Sequence, residues 1–124
     1  MKDEFNKAAP TRTVSEDGDV SWWNAAGELH REDGPAVELT SGSKIWYRNG
    51  KYHREDGPAA EWHDGTTWWC RDGRFHREDG PACIDADGTT SWWLKGEPVA
   101  EQDILNLMKA KAGAASAPKN PKPF

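Results

Sequence analysis

The chain has 124 residues, with 16 Lys and Arg against 21 Asp and Glu and a net charge of −5. That balance argues against nucleic-acid recognition through phosphate contacts, which takes clustered basic groups. No apolar run approaches the roughly 18 residues of a membrane span. Eight Trp but only three Phe, with few Leu and Ile, exclude a conventional aliphatic core. Ordering each residue opposes folding by about 1–2 kcal/mol of backbone entropy, so a long hydrogen-bonded ladder must add to the burial of the indoles.

The charge is unevenly spread. Residues 16–97 hold 17 acids and 9 bases, a net of −8, whereas residues 104–124 hold four Lys and no acid. An acidic body suits a basic protein surface, or imitation of a nucleic acid. Residues 1–15 mix charges with Ala, Pro and Thr and read as a mobile N-terminal arm with no apolar leader. Cys70 and Cys83 have no metal-ligand spacing and read most simply as free thiols of a cytoplasmic protein, with a disulfide between them as the alternative.

The region 16–99 is an array. The phrase His-Arg-Glu-Asp-Gly-Pro-Ala starts at His30, His53 and His76, with a 23-residue period. A fixed period of this size marks a repeat architecture. One set of turn glycines falls at Gly18, Gly42, Gly65 and Gly88, and Trp22, Trp46, Trp69 and Trp92 each follow four residues later. A second set falls at Gly27, Gly50, Gly73 and Gly96, and the first unit is one residue longer. Asn49-Gly50 and Asp72-Gly73 are two-residue hairpin signals, because type I′ turns need positive φ at both positions. β-Branched and aromatic neighbours favour strands, and Pro35, Pro58 and Pro81 fit strand starts. The turn register sets Tyr47 opposite Tyr52, Cys70 opposite Phe75, Trp46 opposite His53 and Trp69 opposite His76. Each repeated Trp is therefore expected to stack on the His of its own unit. The expected fold is all-β: an elongated, twisted antiparallel sheet of stacked hairpins.

Residues 100–112 read as a capping helix, with an apolar stripe of Ile104, Leu105, Met108 and Ala112. Gly113 is the expected stop, and 113–124 reads as a disordered Ala/Pro/Lys tail.

Trp46-Tyr47-Arg48-Asn49-Gly50-Lys51-Tyr52-His53, followed by Gly57 and Asp64-Gly65, resembles a MORN-type repeat, a family of 23-residue hairpins stacked into a sheet. The phrase His-Arg-Glu-Asp-Gly-Pro-Ala is similar to divergent MORN-like repeats of phage proteins and of bacterial proteins labelled antitoxins. The resemblance implies a binding or scaffolding role and no catalytic residue.

His beside Glu and Asp suits metal binding or acid–base chemistry. Catalysis needs one asymmetric constellation, however, and here His30, His53 and His76 sit in identical settings. They are read as structural together with Trp46, Trp69 and Trp92, with no metal and no cofactor. Function is sought where the units differ. Trp62 replaces Leu39 and Asp85 of the other units, and Trp68 replaces Ile45 and Ser91. Unrepeated indoles suit a binding hot spot, and Glu61, Asp64, Asp85 and Asp87 supply acidity nearby. The resulting expectation is a non-enzymatic accessory protein that docks on a host enzyme or defence complex and inhibits it. Self-assembly, lipid binding and nucleic-acid mimicry are the alternatives.

Overall fold

The computed structural model describes residues 11–116, with side chains as far as Ala112. β-Branched Thr11, Thr13 and Val14 build strand β1 (Thr11–Val14), which pairs antiparallel with β2 (Val20–Trp23). The mobile-arm reading is thus corrected at its C-terminal end. Cross-strand contacts explain why: the Trp23 indole N–H donates to Thr13 Oγ1 at 2.9 Å, and the Arg12 guanidinium lies 5.9 Å from the Trp22 ring centroid. Residues 1–10 lie outside the described residues.

The array continues through β3 (Val37–Glu38), β4 (Lys44–Ile45), β5 (Tyr47–Arg48), β6 (Lys51–Tyr52), β7 (Ala60–Glu61) and β8 (Thr67–Trp68). It ends with β9 (Cys70–Arg71), β10 (Arg74–Phe75), β11 (Cys83–Ile84), β12 (Thr90–Leu94) and β13 (Glu97–Val99). Nine of these form one elongated antiparallel sheet, ordered β1-β2-β3-β4-β7-β8-β11-β12-β13. The pairs β5–β6 and β9–β10 are two-stranded hairpins whose tips line one long side of the molecule. The registers Tyr47↔Tyr52 and Cys70↔Phe75 are those the turns dictate.

Both turn classes follow from residue chemistry. Asn49 and Gly50 have φ of 51° and 80°, and Asp72 and Gly73 have 50° and 82°, as type I′ geometry requires. On the other long side the loops hold three residues. The Trp62 N–H donates to Thr66 O and the Gly65 N–H to Trp62 O, both at 2.9 Å. The longer first unit adopts the same three-residue form at Gly27, with Asn24 Oδ1 accepting the Ala26 and Glu28 N–H groups at 2.9 Å.

Side-chain alternation divides the sheet into two faces. Ser21, Val37, Ile45, Ala60, Trp68, Cys83 and Ser91 stand directly opposite one another across successive strands. Val37, Ile45 and Ala60 are the buried centre of this row, flanked by Leu29, Leu39, Tyr47, Tyr52, Trp62 and Trp68. An aromatic ladder continues it: Tyr47–Tyr52 centroids are 5.0 Å apart, Tyr52–Trp68 6.0 Å, Trp68–Phe75 5.7 Å and Phe75–Trp93 5.3 Å. Such pairs add about 0.5–1.5 kcal/mol each beyond area burial. By the same alternation Trp22, Trp46 and Trp69 belong to the opposite face.

Helix α1 (Glu101–Ser116) caps the C-terminal end of the sheet against β12. Asp103 Oδ2 accepts the Ala100 N–H at 3.0 Å, the reach-back half of a capping box. Ile104 is fully buried, Leu107 is half-buried, and Lys111 reaches the Glu78 carboxylate. Leu105 and Met108 are instead 41% and 40% exposed. The stripe expected through Leu105 and Met108 is thus rotated to Ile104, Leu107 and Lys111. Gly113 does not stop the helix, because flanking alanines with strong helix propensity offset the ~1 kcal/mol penalty of an internal glycine. The part of the expected tail over 117–124 lies outside the described residues.

Candidate functional site

Every residue of the repeated phrase has a structural task. His53 Nδ1 accepts the N–H of Asp72, in the hairpin tip of the following unit, at 3.0 Å. His30 accepts the Asn49 N–H and His76 the Lys95 N–H in the same way, both at 2.9 Å. An Nδ1 that accepts leaves the ring proton on Nε2, which points at Glu32, Glu55 and Glu78 at 2.9, 2.8 and 3.0 Å. The hydrogen bond from His53 holds the Glu55 carboxyl below the usual range; at Glu78 the bond from Lys111 is the larger cause, followed by that from His76. A second staple runs beside the first, from the Gly50, Gly73 and Gly96 N–H groups to the Leu29, Tyr52 and Phe75 carbonyls at 2.8–2.9 Å.

The expected stacking of His on Trp is replaced by Arg on Trp. Arg31, Arg54 and Arg77 lie 4.2, 3.8 and 3.8 Å from the ring centroids of Trp22, Trp46 and Trp69. The backbone pairing itself is as expected, since the His53 N–H donates to Trp46 O at 3.0 Å. The side chains diverge because β6 ends at Tyr52, which frees Arg54 from strand alternation while His53 turns to the next tip. Each Arg Nη1 also donates to the carbonyl of Pro35, Pro58 or Pro81 at 3.1–3.2 Å. Arg31 and Arg77 bond Asp33 and Asp79 through Nε. The phrase glycine leaves room for this: a Cβ at Gly57 would sit 2.7 Å from Arg54 Cζ. Ala36, Ala59 and Ala82 are fully buried. The phrase is therefore an inter-unit joint. Among the described residues no group of three or more His, Cys, Asp and Glu converges as metal ligands do.

The residues singled out as a binding surface are spread over both faces and one long side. Trp62 and Trp68 do meet, 5.2 Å apart and edge to face, across the hairpin at Gly65. Both are half-buried, and Trp62 Nε1 is buried without a hydrogen-bond partner. Trp68 occupies the core row and touches Tyr52, Trp62 and Phe75. Glu61 alternates to the opposite face, where its Oε2 accepts Arg54 Nη1 at 3.1 Å. Asp64 and Asp87 occupy matching loop positions on the long side opposite the type I′ tips. Backbone N–H groups of Thr66 and Thr89 donate to them at 2.9 Å and hold both carboxyls below the usual aspartate range. Asp85 is exposed beside them, and Glu16, Asp17 and Asp19 extend the same acidic side. Cys70 is buried, its thiol pushed up to about 12 chiefly by burial and then by neighbouring Cys83; burial also raises Cys83.

The other long side of the sheet is basic. Arg48, Lys51, Arg71, Arg74 and Lys95 crowd the type I′ tips there. The signal was legible, since Arg48 and Arg71, like Lys51 and Arg74, are one 23-residue period apart and flank turn residues.

The chain matches no protein-family model, no curated protein and no solved structure. No helix among the described residues is long and apolar enough to cross a membrane.

Proposed function

We propose that the chain is a divergent MORN-like, non-enzymatic binding scaffold that docks its acidic long side on a basic surface of a partner protein. The observation that carries this reading is the collection of Glu16, Asp17, Asp19, Asp64, Asp85 and Asp87 on one long side of the sheet. None of these six carboxylates pairs with a cation among the described residues. Backbone donors hold the Asp64 and Asp87 carboxyls below the usual aspartate range. Fixed charge in complementary array favours rapid and selective encounter. Occupying the partner's basic surface would block it, which is the inhibitory role expected of a phage or bacterial accessory protein built from such repeats. Trp62 borders this side and supports the contact; Trp68 serves the core.

The immobilised full chain, exposed to an extract of its native host, is expected to retain a partner that elutes with salt. The triple variant Asp64→Lys, Asp85→Lys, Asp87→Lys, folded by circular dichroism, is expected to lose it. Equal retention by wild type and variant would refute the acidic side as the docking surface.

A further inference from the structure

The basic long side carries its own organisation. Arg48 and Lys51 flank the tip Asn49-Gly50, Arg71 and Arg74 flank Asp72-Gly73, and Lys95 precedes Gly96. Arg48, Lys51, Arg74 and Lys95 are exposed and make no ion pair among the described residues. Arg71 has a distant partner, its Nε 3.8 Å from Glu55 Oε1.

These cations are also positioned. The Lys51 stem lies over the glycine of the next tip, 3.7 Å from where a Gly73 Cβ would stand. The Arg74 stem lies over Gly96 at 3.4 Å by the same measure. The packed stems set the Lys51 and Arg74 heads one period apart, and at the preceding tip Glu28 takes the same place, 3.5 Å from where a Gly50 Cβ would stand. Each unit advances two strands, so successive tips are about 10 Å apart at ~4.8 Å per strand. Between the tips runs a groove of about 470 Å³ lined by Lys51, Arg71, Arg74 and Lys95 and by Asp72 and Glu78. Glu78 is already engaged by Lys111 and His76, so the wall remains net cationic.

We propose that this ridge receives an extended acidic segment of a partner protein, with a carboxylate at every third residue. A polyproline II segment has three residues per turn and rises about 9.3 Å per turn. Acids three apart then share one face at nearly the pitch of the tips. A long nucleic acid fits less well, because the array as a whole carries 17 acids against 9 bases over residues 16–97 and repels a polyanion.

The test is fluorescence anisotropy of the full chain with a labelled (Glu-Pro-Pro) repeat peptide of about 12 residues. Saturable binding is expected, weakening about tenfold between roughly 50 and 300 mM salt. The peptide with Gln in place of Glu is expected not to bind. Lys51→Gln with Arg74→Gln is expected to weaken binding about tenfold. If the double variant is not folded by circular dichroism, Lys95→Gln reads the same surface, with about a threefold loss expected. The proposal is overturned by absent saturable binding, by equal binding of the Gln peptide, or by an unchanged affinity in the folded ridge variant. Tighter binding of a thymidine oligonucleotide, or salt-sensitive self-association that occupies the ridge, would overturn it as well.

Discussion

Replacing Gly57 by Ala isolates the joint at its tightest point. The added Cβ would stand 2.7 Å from Arg54 Cζ, 2.9 Å from Nη1 and 3.0 Å from Nε. A guanidinium can swing away, so the penalty is the loss of what it holds. That comprises its stacking on Trp46 at 3.8 Å and its Nη1 bonds to Pro58 O and Glu61 Oε2, both at 3.1 Å. Stacking contributes about 0.5–2 kcal/mol and a bond from a charged donor about 1.5–3 kcal/mol, less where water competes. Against this, Ala stabilises by about 0.4–1 kcal/mol through the unfolded chain. The expected net loss is about 1–3 kcal/mol, lowering Tm by roughly 4–12 °C. Thermal and urea unfolding followed by Trp fluorescence reads it. In an Arg54→Ala background the same substitution should be neutral or slightly stabilising. An equal loss in both backgrounds would refute the account of the glycine as room for arginine.

Three further outcomes follow from the same joints. His53→Ala removes the acceptor of the Asp72 N–H; a stability loss of about 1–3 kcal/mol is expected, with faster hydrogen exchange at Asp72, and unchanged exchange there would contradict the staple. Cys70, its thiol pushed up to about 12, should resist thiol reagents at pH 8 until denaturant is added, and rapid labelling of the native chain would contradict its burial. The hydrogen bond from His53 holds the Glu55 carboxyl below the usual glutamate range, and the bond from Lys111, then that from His76, does so for Glu78. The unfolded chain therefore binds more protons in that window, so this stability is present above it and lost as pH falls through it. Glu78→Gln should flatten the acid limb of the stability profile, and an unchanged limb would contradict the pairing.

Period, turn positions and strand opposition were legible because glycine and Asn-Gly or Asp-Gly chemistry fixes backbone geometry locally. The placement of Tyr47 against Tyr52 needed nothing more. Side-chain partners were less legible. Opposition of Trp46 and His53 does not reveal that the chain leaves the strand after Tyr52 and hands the indole to Arg54. Strand β1 was missed because Thr11–Val14 has no turn signal before it, and its support comes from Trp22 and Trp23 across the hairpin. The docked face of α1 was misread because Ile104, Leu105, Leu107 and Met108 offer more than one apolar stripe, and the position of Glu78 opposite Lys111 selects among them. For the candidate surface, the repeated turns at Gly65 and Gly88 placed Asp64 and Asp87, with Asp85, on one side. They could not show that Glu61 alternates to the other face and that Trp68 fills the core row.

The central claim is that the repeated phrase joins the units while recognition lies on the acidic long side. Partner retention from host extract, compared for folded His30→Gln and for Asp85→Lys with Asp87→Lys, tests it most directly. The claim predicts full retention by the histidine variant and loss by the acidic-side variant. Loss by the histidine variant with full retention by the charge reversal would contradict it.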